Sequence, residues 1–367
     1  MNKTGFGFLR LPKVNPADEK SIDYELLNAM VDRFLAQGGD YFDTAYTYLG
    51  GLSEEALRKS LVQRYPRDKF RIADKLPGYQ LKSYEDCNVY FEESLRRCGV
   101  DYFDVYMLHW LNDRNYEIAE KLDQFRFLQE VKAAGKAKKI GFSYHDSPEL
   151  LDRILQAHPE VDYVQLQINY LDWDSLSIRA RECYEIAVKH HKKVIVMEPV
   201  KGGSLANIPE KAAQLLHSIH PEESIASWAV RFATELPEVA YVLSGMNTLE
   251  QMADNMRPFL PLQEAERNAL RQVAEIICSS TAIACTGCNY CGSNCPMHIS
   301  IPKYFALYND YARYPGEDWK MQNVYDQLAQ TGGKPSDCIG CKQCEANCPQ
   351  KIAVTEYLPK IREVFGT

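Results

Sequence analysis

The amino-acid sequence predicts an α/β protein, in which a (β/α)8 TIM barrel is followed by a small, largely helical domain. The barrel is predicted because short β-rich runs alternate with amphipathic helical stretches over residues 20–260. The second domain is predicted because eight of the twelve cysteines fall within residues 285–367. We therefore expect a barrel domain at residues 1–277, a linker at 278–284 and a cysteine-rich domain at 285–367.

The predicted strands are nearly continuous apolar runs, as expected when both faces of a strand are buried. An early run at residues 5–11 supplies the first strand or an N-terminal hairpin. The others lie at residues 41–45, 70–76, 103–109, 137–143, 162–168, 193–199 and 240–246. Their spacing fits eight βα units and a closed barrel. The alternative is an open, doubly wound sheet, but no glycine-rich dinucleotide fingerprint follows the first run.

Helical patterns lie between these runs. Residues 24–40 carry apolar side chains three and four positions apart and end at two glycines, which favours a helix with a glycine stop. Ser53 is predicted to cap the next helix. Ser147 and Pro148 are predicted as the cap and the first helical residue of a later one. A long helical run at 263–277 precedes the linker.

Four polar side chains follow three successive predicted strands. Asp43 lies in the run at 41–45 and Tyr48 follows it, Lys75 lies at the end of the next run, and His109 ends the one after that. Each alone has a simpler explanation: a helix cap, a packing tyrosine, a solvated lysine or a core histidine. Because active sites of such barrels lie at the carboxyl ends of the strands, the four together favour a shared site.

These four residue types suit the reduction of a carbonyl group. A tyrosine can give the alkoxide its proton, but its ordinary pKa is about 10. A neighbouring lysine is expected to lower the pKa of Tyr48, and the Asp43 carboxylate is expected to hold Lys75 in place. His109 can then hold the carbonyl oxygen by a hydrogen bond.

Residues 1–275 resemble the aldo-keto reductase family, through the segments FDTAYTYLGGLSEEALRKSL, ADKLPG and YMLHW. The resemblance implies a catalytic tetrad of Asp43, Tyr48, Lys75 and His109, with Tyr48 as general acid and base. It also implies a nicotinamide cofactor, NAD(P)(H), across the barrel mouth. The implied cofactor-binding residues are Ser143, Gln165, Met197, Glu198, Pro199, Ser244, Gly245, Gln251 and Asn255.

Several of these positions depart from the family pattern. Tyr144 follows Ser143 where many members have asparagine, and Met197 takes the place of a tyrosine that stacks on the nicotinamide. No cation precedes Arg257 in the segment that would meet a 2′-phosphate, which disfavours a strong preference for NADP. These departures leave FMN as an alternative cofactor at the same place.

The cysteines form two copies of the pattern C-x2-C-x2-C-x3-C-P, CTGCNYCGSNCP and CIGCKQCEANCP. This spacing is typical of [4Fe–4S] clusters in two-cluster ferredoxins, in which the fourth cysteine ligates the other cluster. Structural zinc and disulfides fit the spacing less well. The segment resembles the bacterial two-cluster ferredoxin module, with predicted helices at 301–314 and 323–333. The predicted ligand sets are Cys285, Cys288, Cys291 with Cys348, and Cys338, Cys341, Cys344 with Cys295.

A reductase barrel joined to such a module resembles the iron–sulfur branch of the aldo-keto reductases. The resemblance implies an oxidoreductase that couples two-electron chemistry on a carbonyl, alcohol or activated alkene to electron transfer through two clusters. An external redox protein such as ferredoxin would then be its partner. The alternatives are an NAD(P)H-dependent carbonyl reductase with purely structural clusters, and a redox sensor without turnover.

Composition excludes other classes of function. The net charge is −8 and there is no basic patch, so we expect no nucleic-acid binding. No apolar run approaches the ~20 residues that a membrane span needs. The N-terminus lacks the apolar core and cleavage site of a signal peptide. We therefore expect a soluble, cytoplasmic protein.

Overall fold

The computed structural model describes residues 3–15, 18, 20–175, 178–280, 282–313 and 318–366. Its centre is a closed barrel of eight parallel strands in sequence order, β1 to β8. They span Thr4–Gly7, Tyr41–Asp43, Arg71–Leu76, Phe103–Leu111, Ala137–Tyr144, Tyr163–Gln167, Lys193–Met197 and Val239–Ser244. The barrel prediction is confirmed, and the run at 5–11 supplies a parallel first strand rather than a hairpin.

Helices alternate with the strands along the chain. Those up to the predicted linker are α1 to α11, at Tyr24–Ala36, Leu52–Leu57, Tyr84–Cys98, Asp113–Lys121, Gln124–Ala133, Pro148–Ala157, Ala180–Lys189, Glu210–Ile219, Ile225–Glu235, Leu249–Asn255 and Glu264–Ser280. The cysteine-rich segment holds α12 to α15, at Ile301–Arg313, Asp318–Thr331, Gln343–Ala346 and Val354–Phe365. Within the described residues, no helix combines the length and the apolar character needed to cross a membrane.

The helix caps follow the sequence in one case and depart from it in another. Ser147 caps α6 by accepting a hydrogen bond from the N–H of Leu150, with Pro148 in the first turn, as predicted. Ser53 does not cap α2, so that prediction is wrong. The cap is Gly51, whose φ of 92° suits glycine, and the Ser53 hydroxyl instead donates to the carbonyl oxygen of Phe8.

Alternation along the strands determines which side chains point into the barrel. Its lower interior is filled by a cluster comprising Tyr41, Ala73, Val105, Met107, Ile195, Tyr241 and Leu243. Side chains two positions further along a strand share the same face. Asp43, Lys75, His109 and Met197 follow members of this cluster at that spacing. The strand pattern therefore places them inside the barrel, towards its carboxyl end.

The chain divides into two compact units. The first comprises Met1–Ser175, Arg179–Pro199 and Ser227–Leu262, and the second includes Val200–Ala226 and Gln263–Thr367. The helix α11 runs through Ser280, so the first part of the predicted linker, residues 278–280, is helical. The second unit has its own apolar core, in which Tyr304, Phe305 and Phe365 pack with the buried Cys291 and Cys344.

Candidate active site and cysteine clusters

The site inside the barrel is built on a buried ion pair. The Lys75 Nζ donates to Asp43 Oδ1 at 2.6 Å and to the carbonyl oxygen of Thr44 at 2.7 Å. Lys75 is 0% exposed and Asp43 is 2% exposed. Burial raises the pKa of Asp43, and the Lys75 charge opposes that rise. The ammonium group is therefore held at one position by two short hydrogen bonds.

Tyr48 lies against this ion pair. It begins a short turn, Tyr48–Gly51, in which Leu49 and Gly50 have positive φ angles. The Lys75 Nζ is 4.9 Å from the centroid of the Tyr48 ring, and the His109 ring meets it edge-on with 5.6 Å between centroids. The structure thus brings together all four side chains predicted from the strand ends.

The electrostatics of Tyr48 differ from the prediction. Burial raises the pKa of Tyr48 well above its usual value, and the negative charge of Asp43 adds to the rise. The expectation of a lowered pKa for Tyr48 is therefore wrong, because burial of the ring dominates. A phenol that keeps its proton at neutral pH is suited to donating it.

His109 lies where β4 becomes irregular. The register of β4 with β5 shifts between Leu108 and Leu111, and Trp110 has a φ of 62°. Burial lowers the pKa of His109 well below its usual value, with Lys75 and His145 contributing. The imidazole is therefore neutral at pH 7. Its Nδ1 is buried and has no hydrogen-bond partner among the described residues.

The predicted nicotinamide-binding side chains Ser143 and Gln165 lie on neighbouring strands. They are paired in register between β5 and β6, and both are buried. The Ser143 Oγ accepts the N–H of Trp110 at 2.7 Å. The Gln165 Nε2 lies 3.6 Å from the sulfur of Met197, and its Oε1 is buried without a partner in the described chain. That orphaned oxygen fits an amide donor such as a carboxamide.

Residues after β7 face the same region. Met197 is half-buried at the end of β7, and Glu198 follows with a φ of 54°. The charge of Glu198 contributes to the raised pKa of Tyr48. Its carbonyl oxygen accepts from the Asn169 Nδ2 at 3.2 Å. Pro199 is the next residue and is buried.

Sequence reasoning missed a polar network behind these residues. The carboxylate of Asp172 accepts from both Gln167 and Asn169, each at 2.8 Å. All three side chains are buried. The alternation of Gln165 and Gln167 on β6 was the available signal, because residues two apart on a strand share a face.

The predicted nucleotide residues around α10 also lie together. The Asn255 Nδ2 donates to the Ser244 Oγ at 2.8 Å, and the Gln251 Oε1 accepts the N–H of Asn247 at 2.8 Å. A Cβ placed on Gly245 would lie 3.4 Å from the Cβ of Arg10. Arg10 is thus a cation near this segment, although it lies far from residues 244–255 in the sequence.

The two cysteine motifs have the same backbone shape. Three pairs of residues at equivalent motif positions all have φ angles between 53° and 70°: Gly287 with Gly340, Asn289 with Lys342, and His298 with Lys351. The N–H of Gly287 lies 3.4 Å from the sulfur of Cys285. Left-handed residues at these positions turn the chain so that successive cysteines face one point.

The fourth cysteines are exchanged between the motifs. Burial raises the pKa of Cys291 to about 12, and the neighbouring Cys288, Cys285 and Cys348 add to it. Cys348 therefore lies with the first motif. Cys295 lines a cavity together with Cys338, Cys341 and Cys344. Each predicted set of four is thus grouped in space, and four converging thiolates fit an iron–sulfur cube.

Two protein-family models match successive parts of this chain. The aldo/keto reductase family model matches residues 4–275, and that of the 4Fe-4S dicluster domain matches residues 284–353. The aldehyde reductase YPR1 of Saccharomyces cerevisiae is 26% identical over 54% of this chain and 69% of its own. The NADH-specific methylglyoxal reductase of Escherichia coli is 25% identical over 65% of this chain and 85% of its own.

The fold is also found among solved structures. An aldo/keto reductase from Klebsiella pneumoniae, in complex with NADP and acetate, superposes with a TM-score of 0.61 at 19% identity. The match covers 74% of this chain and 91% of that one. The chain therefore belongs to the aldo/keto reductase family of oxidoreductases, and it carries a 4Fe-4S dicluster domain after the barrel.

Proposed function

We propose that the chain interconverts a carbonyl compound, or an activated alkene, and its reduced product at the barrel mouth. The observation that carries this proposal is the buried Lys75–Asp43 pair, with the Tyr48 ring against Lys75 and the neutral His109 ring edge-on to the Tyr48 ring. This combination places a proton donor, a fixed positive charge and a neutral hydrogen-bonding group together, as general acid catalysis requires.

Each of the four side chains has a distinct role. When a hydride adds to the carbonyl carbon, Tyr48 transfers its proton to the oxygen, so the product is an alcohol. Lys75 stabilises the phenolate that remains until solvent restores the proton, and Asp43 holds Lys75. His109 holds the substrate oxygen. The reverse sequence oxidises an alcohol.

NAD(P)(H) is the proposed cofactor at the barrel mouth, and when bound it supplies or accepts the hydride. Ser143 and Gln165 would hold the carboxamide, since the Gln165 Oε1 is a buried acceptor without a partner in the described chain. The remaining parts of the cofactor would be held by two further groups of residues. These are Met197, Glu198 and Pro199 after β7, and Ser244, Gly245, Gln251 and Asn255. FMN finds no support in the comparisons, and we do not propose it.

Two [4Fe–4S] clusters, when bound, would exchange single electrons with an external redox protein such as ferredoxin. One cluster would be held by Cys285, Cys288, Cys291 and Cys348. The other cluster would be held by Cys338, Cys341, Cys344 and Cys295. Support comes from the raised pKa of Cys291, caused partly by Cys348, and from the cavity that Cys295 shares with the second motif. The domain boundaries at 277 and 285 belong to the same proposal.

Anaerobically purified protein tests the function in two parts. Iron analysis is expected to give about eight iron atoms per chain, four for each cluster. Reduction of a panel of aldehydes is then followed with NADH, with NADPH, and with reduced ferredoxin as electron donors. If electron transfer through the clusters is coupled to aldehyde reduction in the barrel, a Cys341→Ser variant must lose ferredoxin-dependent turnover. If that variant keeps full turnover with every donor and loses only stability, the clusters are structural and the coupling is disproved.

A further inference from the structure

A buried lysine in the second unit contacts the segment that follows the fourth cysteine. Lys201 lies after β7, in the loop that begins at Val200, and Gln350 is two residues beyond Cys348. The Lys201 Nζ donates to the Gln350 Oε1 at 2.7 Å. Lys201 is 4% exposed and Gln350 is 6% exposed. A lysine so far from water is unusual, because burying an ammonium group is costly.

The surroundings of Cys348 suit a negatively charged group. The backbone N–H groups of Ile352, Gln350 and Lys351 donate to its sulfur. The Gln350 Nε2 is a further donor, buried and without an acceptor among the described residues. A [4Fe–4S] cluster with four thiolates is an anion whose sulfur atoms accept such hydrogen bonds, and these bonds and nearby charges set its reduction potential.

We propose that Lys201 raises the reduction potential of the cluster whose fourth ligand is Cys348, and that it does so from the loop after β7. The reduced cluster carries one more negative charge than the oxidised cluster, so a nearby ammonium group stabilises the reduced form. Water screens this interaction little, because Lys201 is buried. Lys201 thus acts on the cluster through its charge, held in place by the hydrogen bond to Gln350.

The proposal links the two halves of the proposed chemistry and rests on the proposed cluster ligands. The loop that carries Lys201 continues directly from Met197, Glu198 and Pro199, which are proposed to hold the nicotinamide cofactor. The Lys201 charge would thus favour the reduced form of the cluster whose fourth ligand is Cys348.

The test is a redox titration of the anaerobic full-length protein, followed by electron paramagnetic resonance and visible absorbance. The Lys201→Gln variant keeps a hydrogen-bonding side chain and removes the charge. We expect its ratio of oxidised to reduced cluster to rise about tenfold at fixed potential, a downward shift of about 59 mV for one electron. Lys201→Arg keeps the charge and should stay within about threefold of the wild type. The Cys348→Ser variant identifies the affected cluster, because the paramagnetic resonance signal of the cluster that Cys348 ligates changes in that variant.

The matched control is Lys342→Gln. Lys342 also has a positive φ, lines the cavity of the other cysteine set and is 71% exposed in its side chain. Because water screens an exposed charge, we expect the ratio of oxidised to reduced cluster at fixed potential to change by less than about threefold for the other cluster. For the Cys348 cluster we expect this ratio not to change. Equal shifts of the Cys348 cluster in both glutamine variants, or no shift in Lys201→Gln, would overturn the proposal.

Iron content separates this proposal from the one on which it rests. Wild-type protein without iron would overturn both, whereas unchanged potentials in a fully iron-loaded Lys201→Gln variant would overturn this one alone. If Lys201→Gln binds less iron than the wild type, Gln350→Glu replaces it. That variant places a carboxylate beside the ammonium group and should also lower the potential. A potential that stays unchanged in Gln350→Glu counts against the role of Lys201.

Discussion

The barrel site and the cysteine clusters obtain their chemistry in opposite ways. In the barrel, the reacting groups are side chains that the strands hold in place, and Lys75 and Asp43 already form their short contact in the chain alone. In the second unit, the cysteines are brought together in two sets, but their charge and redox chemistry come from iron and sulfide. The polypeptide therefore supplies all the proposed acid–base groups of the barrel site, whereas the cysteine sets are ligands for inorganic groups.

Removal of iron should separate the two regions most clearly. The core of the second unit packs around Cys291 and Cys344, with Cys285, Cys295, Cys338 and Cys348 against it. Because metal-binding free energy is folding free energy in such small domains, we expect chelation to abolish its cooperative fold. Hydrogen exchange should show lost protection in α12 and α15 while β2 to β4 stay protected. Retained protection in α12 would contradict this prediction.

Within the barrel, replacement of Tyr48 should have the largest effect on turnover. Tyr48→Phe removes the proton donor and keeps the ring, so kcat should fall by about 10²–10⁴-fold while cofactor affinity stays within a factor of two. Stopped-flow kinetics and cofactor fluorescence measure the two quantities. Tyr79→Phe is the matched control, because the Tyr79 ring also lies near His109, with 6.3 Å between centroids. Similar kcat values for the two variants would exclude Tyr48 as the donor.

Loss of the buried ion pair between Asp43 and Lys75 should mainly lower the free energy of unfolding. Asp43→Asn leaves the Lys75 ammonium buried without its carboxylate, which should lower the free energy of unfolding by about 3–5 kcal/mol. Urea denaturation measures the change. The double variant with Lys75→Met removes the unpaired charge and should recover most of the loss. If the double variant is less stable than Asp43→Asn alone, the penalty does not come from the charge of Lys75.

The sequence predicted features that depend on local spacing. The four strand-end residues follow from two-residue alternation and from the ends of apolar runs, and the exchanged fourth cysteines follow from a repeated motif. The position of Arg10 beside Gly245 could not be predicted in this way, because the two residues are brought together only by closure of the barrel between β1 and β8.

Electrostatic properties were also beyond the sequence. The pKa of Tyr48 is raised chiefly because the ring is removed from water, and the nearby charge of Asp43 adds to the rise. Neither can be read from residue types. The Ser53 cap failed for a related reason: its hydroxyl is drawn into a buried contact with Thr44 and Phe8, which are distant in sequence.

The smallest expected effect concerns a second buried acidic group, behind the barrel wall. Asp74 and Glu54 are both fully buried, and Arg97 pairs with Glu54 at 3.0 Å. Burial raises the pKa of Asp74 well above its usual value, and the charge of Glu54 adds to it. The folded chain therefore holds Asp74 protonated over a range of pH in which the unfolded chain ionises it.

A raised pKa in the folded state gives stability that is complete below the unfolded pKa and is lost as the pH rises through the folded pKa. Asp74→Asn cannot ionise, so its stability should fall less than that of the wild type towards alkaline pH. We expect the two to be closest in stability below about pH 4, near the ordinary pKa of an aspartate, and the variant to become the relatively more stable one as the pH rises. Thermal unfolding across pH measures this difference. Parallel pH profiles of the variant and the wild type would show that Asp74 is ionised in the folded chain. The barrel wall would then hold a buried negative charge at Asp74, as the active site does at Asp43.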